Sequence, residues 1–211
     1  MPISNLSRFT VPLSTDQSSN TQGLLMPKLK YRFRVTLDGF GVAGTPSTEI
    51  TKQVMNVTRP QVSFEEIKLP IYNSTIKMAG KHSWTNATLT LRDDVTNAVS
   101  GKVGEQLQKQ FDFFEQSSAA SGIDYKFLMR VEVLDGGNGA HEVNVLDAFE
   151  YHGCFIQQVV YQGGDYSSTT DPLDIALTIT YDNALQLNSA GNLTGLGANI
   201  GRTIGAMAIG G

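Results

Sequence analysis

Met78–Val95, M-A-G-K-H-S-W-T-N-A-T-L-T-L-R-D-D-V, decides how the chain folds. Within it Ala87, Leu89 and Leu91 alternate with Thr88, Thr90 and Arg92, the period of two that a half-buried β-strand requires. Asp93 and Asp94 stop that strand and place negative charge where a helix should begin, because the free amides of a helix N-terminus favour anions. Beyond them the period lengthens. Val103, Leu107, Phe111 and Phe114 are spaced four, four and three apart and share one helical face, while Lys102, Glu105, Gln106, Lys109 and Asp112 point elsewhere. A strand feeding one amphipathic helix, in a chain otherwise written in strands, predicts a mainly β domain with a single α-helix laid against it.

Upstream, the alternation from Lys28 is strict: Leu29, Tyr31, Phe33, Val35 and Leu37 face one way, Lys28, Lys30, Arg32, Arg34 and Thr36 the other. The basic stripe is expected to be solvated, or paired with acidic residues on a neighbouring strand or subunit, rather than to hold a polyanion. Asp38-Gly39 turns the chain, Gly41 to Pro46 forms a loop, and a strand is expected from about Glu49 to Val57. Val62, Phe64, Ile67 and Leu69 form a further run whose phase slips at Glu65-Glu66, the mark of a bulge or bend. Pro70 to Met78 continues as an extended arm holding Ile71, Tyr72, Ile76 and Met78. Residues 60–79 thus form a long excursion of extended chain with more apolar side chains than a free loop needs, and another subunit is the expected cover.

Downstream, Ser117 to Gly122 is a small-residue linker. Tyr125, Phe127, Met129, Val131 and Val133 alternate with Lys126, Leu128, Arg130, Glu132 and Leu134. Asp135 to Gly139 is hairpin chemistry, since glycine and asparagine accept the positive φ of tight turns. Val143, Val145, Phe149 and Tyr151 return, a break falls at Gly153, and a strand follows from Phe155 to Tyr161. Gly163 to Thr170 is a polar loop. Asp171-Pro172 opens the last regular element, in which Ile175, Leu177, Ile179 and Tyr181 alternate with polar residues and Ala176.

The 211 residues suit one undivided β domain with tails. Residues 1–23 are a polar N-terminal arm without a sustained period, 24–187 the β domain, and 188–211 a Gly-rich tail. In that tail Leu193, Leu196, Ile200, Ile204 and Met207 fall at helical spacing, and Gly197, Gly201 and Gly205 recur every fourth residue. Each glycine costs a helix about 1 kcal/mol, so the tail is expected to be disordered or docked on a neighbour rather than membrane-active.

A formal charge of -4 argues against holding nucleic acid by counterion release. The single cysteine, Cys154, forbids an intrachain disulfide and fits a reducing compartment. The first residues lack a basic, then apolar, leader pattern, and no apolar run is long enough to span a bilayer. A soluble intracellular product without stable membrane association is therefore expected.

Candidate chemistry is sparse. Cys154 with His152, His82 or His141 offers a thiol and a base, but His152 and Cys154 lie two apart on a strand, share a face and lack an orienting third group, so structural roles are expected. The histidines and Cys154 show no zinc spacing. Asp135 to Gly139 lacks the oxygen ligands of a calcium loop. Gly80-Lys81 and Gly101-Lys102 lack the rest of a phosphate loop, and Gly195-Leu196-Gly197 has no βαβ unit around it. Asn56, Asn73, Asn86 and Asn192 open N-x-S/T triplets that reflect Ser/Thr-rich composition. No catalytic, metal or cofactor site is predicted.

Four features together resemble the tail tube proteins of contractile-tailed bacteriophages, a family related to the Hcp tubes of type VI secretion. They are the strand K-L-K-Y-R-F-R-V-T-L from Lys28, the excursion P-Q-V-S-F-E-E-I-K-L-P-I-Y-N-S-T-I-K-M-A-G from Pro60, the strand-to-helix run K-H-S-W-T-N-A-T-L-T-L-R-D-D from Lys81, and the pair F-E-Y-H-G-C-F-I-Q-Q-V and D-I-A-L-T-I-T-Y-D from Phe149 and Asp174. The likeness spans roughly Lys28 to Asn183, with a loose A-G-x-x-x-F/W pattern at Ala79 to Trp84.

The resemblance implies two packed antiparallel sheets, a β-sandwich or barrel, with one flanking helix. It further implies hexameric rings stacked into a tube within a virion tail, assembled in the host cytoplasm. The implied partners are other copies, the tail sheath, the baseplate, a tape-measure protein and DNA in transient passage, with no cofactor and no turnover chemistry. Long strands leave edges that ring neighbours would satisfy, in keeping with that implication. Glu65, Glu66, Lys68, Pro70, Tyr72 and Lys77 on the excursion are expected to contact an adjacent ring or subunit. The rivals are a baseplate initiator or secretion-system tube ring and, from another class, a monomeric ligand-binding β-sandwich or small hydrolase using His152 and Cys154.

Overall fold

The structure, a computed structural model, describes residues 27–42, 48–136, 143–168 and 170–198. In chain order the elements are β1 (Phe33–Asp38), α1 (Thr48–Gln53), β2 (Val54–Val57), β3 (Gln61–Ile71), β4 (Ser74–Thr85), β5 (Ala87–Arg92), α2 (Ala98–Gln110), β6 (Phe111–Asp112), β7 (Ser117–Ser118), α3 (Gly122–Tyr125), β8 (Phe127–Leu134), β9 (Val145–Tyr161), β10 (Asp174–Thr180), β11 (Asn183–Asn188) and β12 (Leu193–Thr194). Residues 27–32 hold a turn closed by Arg32 N–H donating to the Leu29 carbonyl at 3.2 Å.

Two antiparallel sheets share one strand. The N-terminal half of β9 pairs with β8 and β11, and its C-terminal half with β10. The first sheet therefore runs β1-β8-β9-β11-β12, and the second β9-β10-β5-β2. β9 changes sheets at Gly153, where φ is +69° and the register with β8 slips. A side chain there would collide with the Asp182 carboxylate, which is held 2.6 Å from Lys126 Nζ. The predicted break at Gly153 is thus a bend in one continuous strand.

The inner faces build a single core. Val35, Leu37, Met129, Val131 and Tyr151 come from the first sheet, and Leu89, Leu91, Leu177 and Ile179 from the second. Opposed pairs such as Leu89↔Leu177 and Leu91↔Ile175 hold the register, since a one-residue slip would turn every apolar side chain outward. Each fully buried aliphatic side chain contributes roughly 1.5–3 kcal/mol, which offsets the ordering of the strands. The predicted mainly β architecture with packed antiparallel sheets is the one observed, and of the basic stripe Arg34 meets an acid on the neighbouring strand. Arg34 Nε and Nη2 both reach Glu132 Oε2 at 2.6 Å, and Arg130 bridges Glu132 at 2.9 Å and Glu150 at 3.2 Å.

Several local expectations are corrected. The strand expected at Glu49–Val57 is helix α1 followed by the short β2; its Ile50 is fully buried, and tertiary contact rather than alternation shapes the segment. β1 starts at Phe33, not Lys28. α2 ends at Gln110, so Phe111 and Phe114 leave the helical face: Phe111 is extended and Phe114 is exposed. The cause is local, because Asp112 Oδ1 accepts from the amides of Phe114 and Glu115 at 2.9 and 3.1 Å and closes a competing turn. Gln106, expected on the outer face, is fully buried and joins Gly41 N–H at 2.9 Å to the Tyr125 carbonyl at 2.7 Å. Asp94 does serve the helix start, its Oδ1 accepting from Ala98 N–H at 3.1 Å. α1 and α3 add two short helices to the one predicted, the Ser117–Gly122 linker contains β7, and β11 and β12 follow the element expected to be last. Leu193, placed on a helical stripe, lies in β12. The tip of the Asp135–Gly139 turn and the tail beyond 198 lie outside the described residues.

Candidate assembly surface

The predicted excursion is a hairpin. β3 and β4, of 11 and 12 residues, pair with each other and with no other strand among the described residues. Every residue of β3 is exposed. Two residues, Tyr72 and Asn73, make the turn, and Tyr72 is fully exposed at φ +33°, a conformation that costs a bulky L-residue strain. The slip expected at Glu65-Glu66 is present, with the extra residue on the partner strand. Phe64 faces His82 and Glu66 faces Ala79, so Gly80 and Lys81 together oppose Glu65.

Alternation and register sort the distal side chains into two unlike faces. Ile67, Leu69 and Ile71 lie opposite Met78, Ile76 and Ser74, giving an apolar face that is about half exposed. Glu66, Lys68 and Pro70 lie opposite Ala79, Lys77 and Thr75 on the other side. There Glu66 accepts Lys77 at 2.7 Å and Lys68 at 3.5 Å. Exposed ion pairs of this kind are worth about 0–1 kcal/mol, and a lone two-stranded ribbon is marginal in water.

What holds the hairpin is its base. Trp84 packs on the core, with its ring centroid 5.6 Å from Tyr181, and Tyr181 lies 4.9 Å edge-on to Tyr151. The Tyr151 hydroxyl donates to the Thr58 carbonyl at 2.7 Å, pinning the chain just before β3. Burial pushes the Tyr151 hydroxyl far above its ordinary pKa. The ribbon is thus rooted in the core and uncovered beyond it.

Of the residues expected at a subunit contact, Glu66, Lys68, Pro70 and Lys77 share the charged face, Tyr72 caps the tip, and Glu65 sits at the irregularity on the opposite side by alternation. The apolar face of Ile67, Leu69, Ile76 and Met78 accounts for the surplus of apolar residues in the excursion.

The thiol–histidine pairing does not form. The bend at Gly153 breaks the alternation, so Cys154 is fully buried while His152 is half-buried, its Nε2 lying 3.7 Å from Glu150 Oε2. Burial pushes the Cys154 thiol up to about 12, and its Sγ lies 3.2 Å from the Tyr151 carbonyl. His82 lies on the hairpin against Phe64 and Trp84, and His141 is outside the described residues. Among the described residues, no group of three or more His, Cys, Asp or Glu is placed to hold a metal, and no helix is long and apolar enough to cross a membrane.

No family model matches the sequence, and no curated protein matches it. Solved structures do. A chain of the cap that terminates the tube of the anti-feeding prophage aligns with a TM-score of 0.58 at 14% identity, over 84% of this chain and 99% of that one. A chain of the sheath–tube complex of an extracellular contractile injection system, PVC, in its extended state aligns at 0.55 with 17% identity, over 83% and 99%. A chain of the PVC sheath/tube terminator aligns at 0.56 with 16% identity, over 78% and 99%. This chain has the fold of chains found in contractile injection systems. At such identities the shared fold prescribes the backbone path, and the side chains on the β3–β4 ribbon are this chain's own.

Proposed function

We propose that this chain is the tube subunit of a contractile injection apparatus, a structural protein without turnover chemistry that assembles into stacked rings. The observation that carries the reading is the β3–β4 hairpin, rooted by Trp84 and otherwise uncovered, with an apolar face that water does not favour. The second sheet supplies a route to ring closure. Its strands alternate in direction through β9, β10, β5 and β2, so β2 of one copy meets β9 of the next antiparallel, and a repeated rotation closes the sheet on itself. Hexameric rings then stack through the hairpin, with Glu65, Glu66, Lys68, Pro70, Tyr72 and Lys77 near the contacts. A sheath outside, a baseplate below and a tape-measure protein within complete a phage tail that passes DNA; a secretion tube differs in cargo. A net charge of -4 suits a conduit that does not grip a polyanion.

Electron microscopy and light scattering of concentrated protein test this. Rings or tubes are expected, and reversing the charges of Glu65, Glu66 and Lys68 is expected to weaken stacking. A chain that remains a 22.9 kDa monomer at every concentration refutes the reading.

A further inference from the structure

Helix α2 ends on the edge of the second sheet. The Gln110 side chain accepts from the Ile156 N–H through Oε1 at 2.9 Å and donates from Nε2 to the Ile156 carbonyl, also at 2.9 Å. Those are the two bonds that an antiparallel neighbour makes with one residue of a strand. A side-chain amide therefore stands where the backbone of an added strand would stand. Ile156 is buried and opposed by the fully buried Ile179, so this point of the edge cannot shift.

Just beyond it the register of β9 with β10 slips at Gln157, whose Oε1 is held by Asn86 Nδ2 and by Thr180 Oγ1 at 3.2 Å. Past the slip, Gln162 N–H donates to the Asp174 carbonyl at 3.1 Å. Gln162, Val160 and Gln158 thus turn their backbone groups toward β10, and by alternation Val159 and Tyr161 turn theirs away. No strand among the described residues lies on that side.

We propose that Gln110 is a register stop for pairing between copies: it fills the edge at Ile156, so that the strand of a second copy pairs along Val159 to Tyr161 and no further back. The proposal rests on the ring reading and names a positioning residue within it. The occupant is β2 of the next copy, whose four residues are enough to cover the three of the open stretch and whose direction is antiparallel to β9. Without the stop the open edge extends back to Ile156, the last position before Cys154 pairs with Phe127 of β8, and slipped pairings become available to a strand that short.

The test compares full-length wild type with Gln110→Ala and Gln110→Glu, the latter losing the donor to the Ile156 carbonyl. Native mass spectrometry reads ring size, cryo-electron microscopy reads strand register, and amide exchange reads the Ile156 N–H. The wild type is expected to give one ring size. Gln110→Ala is expected to keep a folded monomer, to exchange the Ile156 amide several-fold faster and to give mixed ring sizes or slipped pairing. If Gln110→Ala does not fold, Gln110→Glu is expected to show the same broadening to a lesser degree. Variant rings of unchanged size and register overturn the inference and leave the tube reading standing, whereas a wild type that forms no rings removes both.

Discussion

Replacing Ile67, Leu69 and Ile76 together by threonine separates the cost of the hairpin's apolar face in the monomer from its value in the assembly. These side chains are 47%, 43% and 49% exposed, so about half of each awaits cover. Full burial of an Ile or Leu side chain is worth roughly 1.5–3 kcal/mol, and half of that, less what threonine's methyl retains, is about 1 kcal/mol per site. The three changes together remove about 3 kcal/mol from each contact, on the order of a hundredfold in its association constant. Within the monomer, the losses are the cross-strand pairs Ile67↔Met78 and Leu69↔Ile76, each worth roughly 0.2–1 kcal/mol, and threonine keeps the strand preference. Sedimentation velocity over a concentration series, beside thermal melting of dilute protein, reads the two quantities separately. The onset of association should move up by about two orders of magnitude while the melting temperature falls by only a few degrees. Association curves that coincide with wild type would refute the reasoning, as would a monomer that loses as much as the assembly does.

Three further outcomes follow at the bend in β9. Gly153→Ala should destabilise the chain by about 1–3 kcal/mol, from roughly 1–2 kcal/mol of left-handed strain plus displacement of Asp182 from Lys126; an unchanged urea midpoint would show that φ +69° is not required there. Cys154, with its thiol raised from 9.0 to about 12, should resist alkylation near pH 8 until urea is added. Because the folded state disfavours the thiolate, stability should be full below about pH 9 and fall as pH rises toward 12, and Cys154→Ala should flatten that slope; identical slopes for the two proteins would contradict it.

The residues that follow a period were legible because a period is local. Ala87, Leu89 and Leu91, or Ile175, Leu177 and Ile179, carry their inward face in their own order, and the observed core is made of them. The phase slip near Glu65 and the need for glycine at 153 were visible as interruptions. Their meaning was not, since an interruption marks a change of direction without saying what lies beyond it.

The amino-acid order thus determined the strands that alternate strictly, among them β5, β8 and β10, that a helix follows Asp94, and that residues 60–79 carry more apolar surface than a loop needs. Contacts between distant residues decided the rest. Gln106 is buried because Gly41 and Tyr125, far from it in sequence, leave backbone groups that its amide satisfies. Ile50 draws a short polar stretch into a helix, and a two-residue turn at Tyr72 makes an extended arm double back. β9 passes from one sheet to the other at Gly153, where φ is +69° and Asp182 leaves no room for a side chain. Periodicity records which way a side chain points, whereas partner and register depend on which distant groups remain unsatisfied once the core has closed.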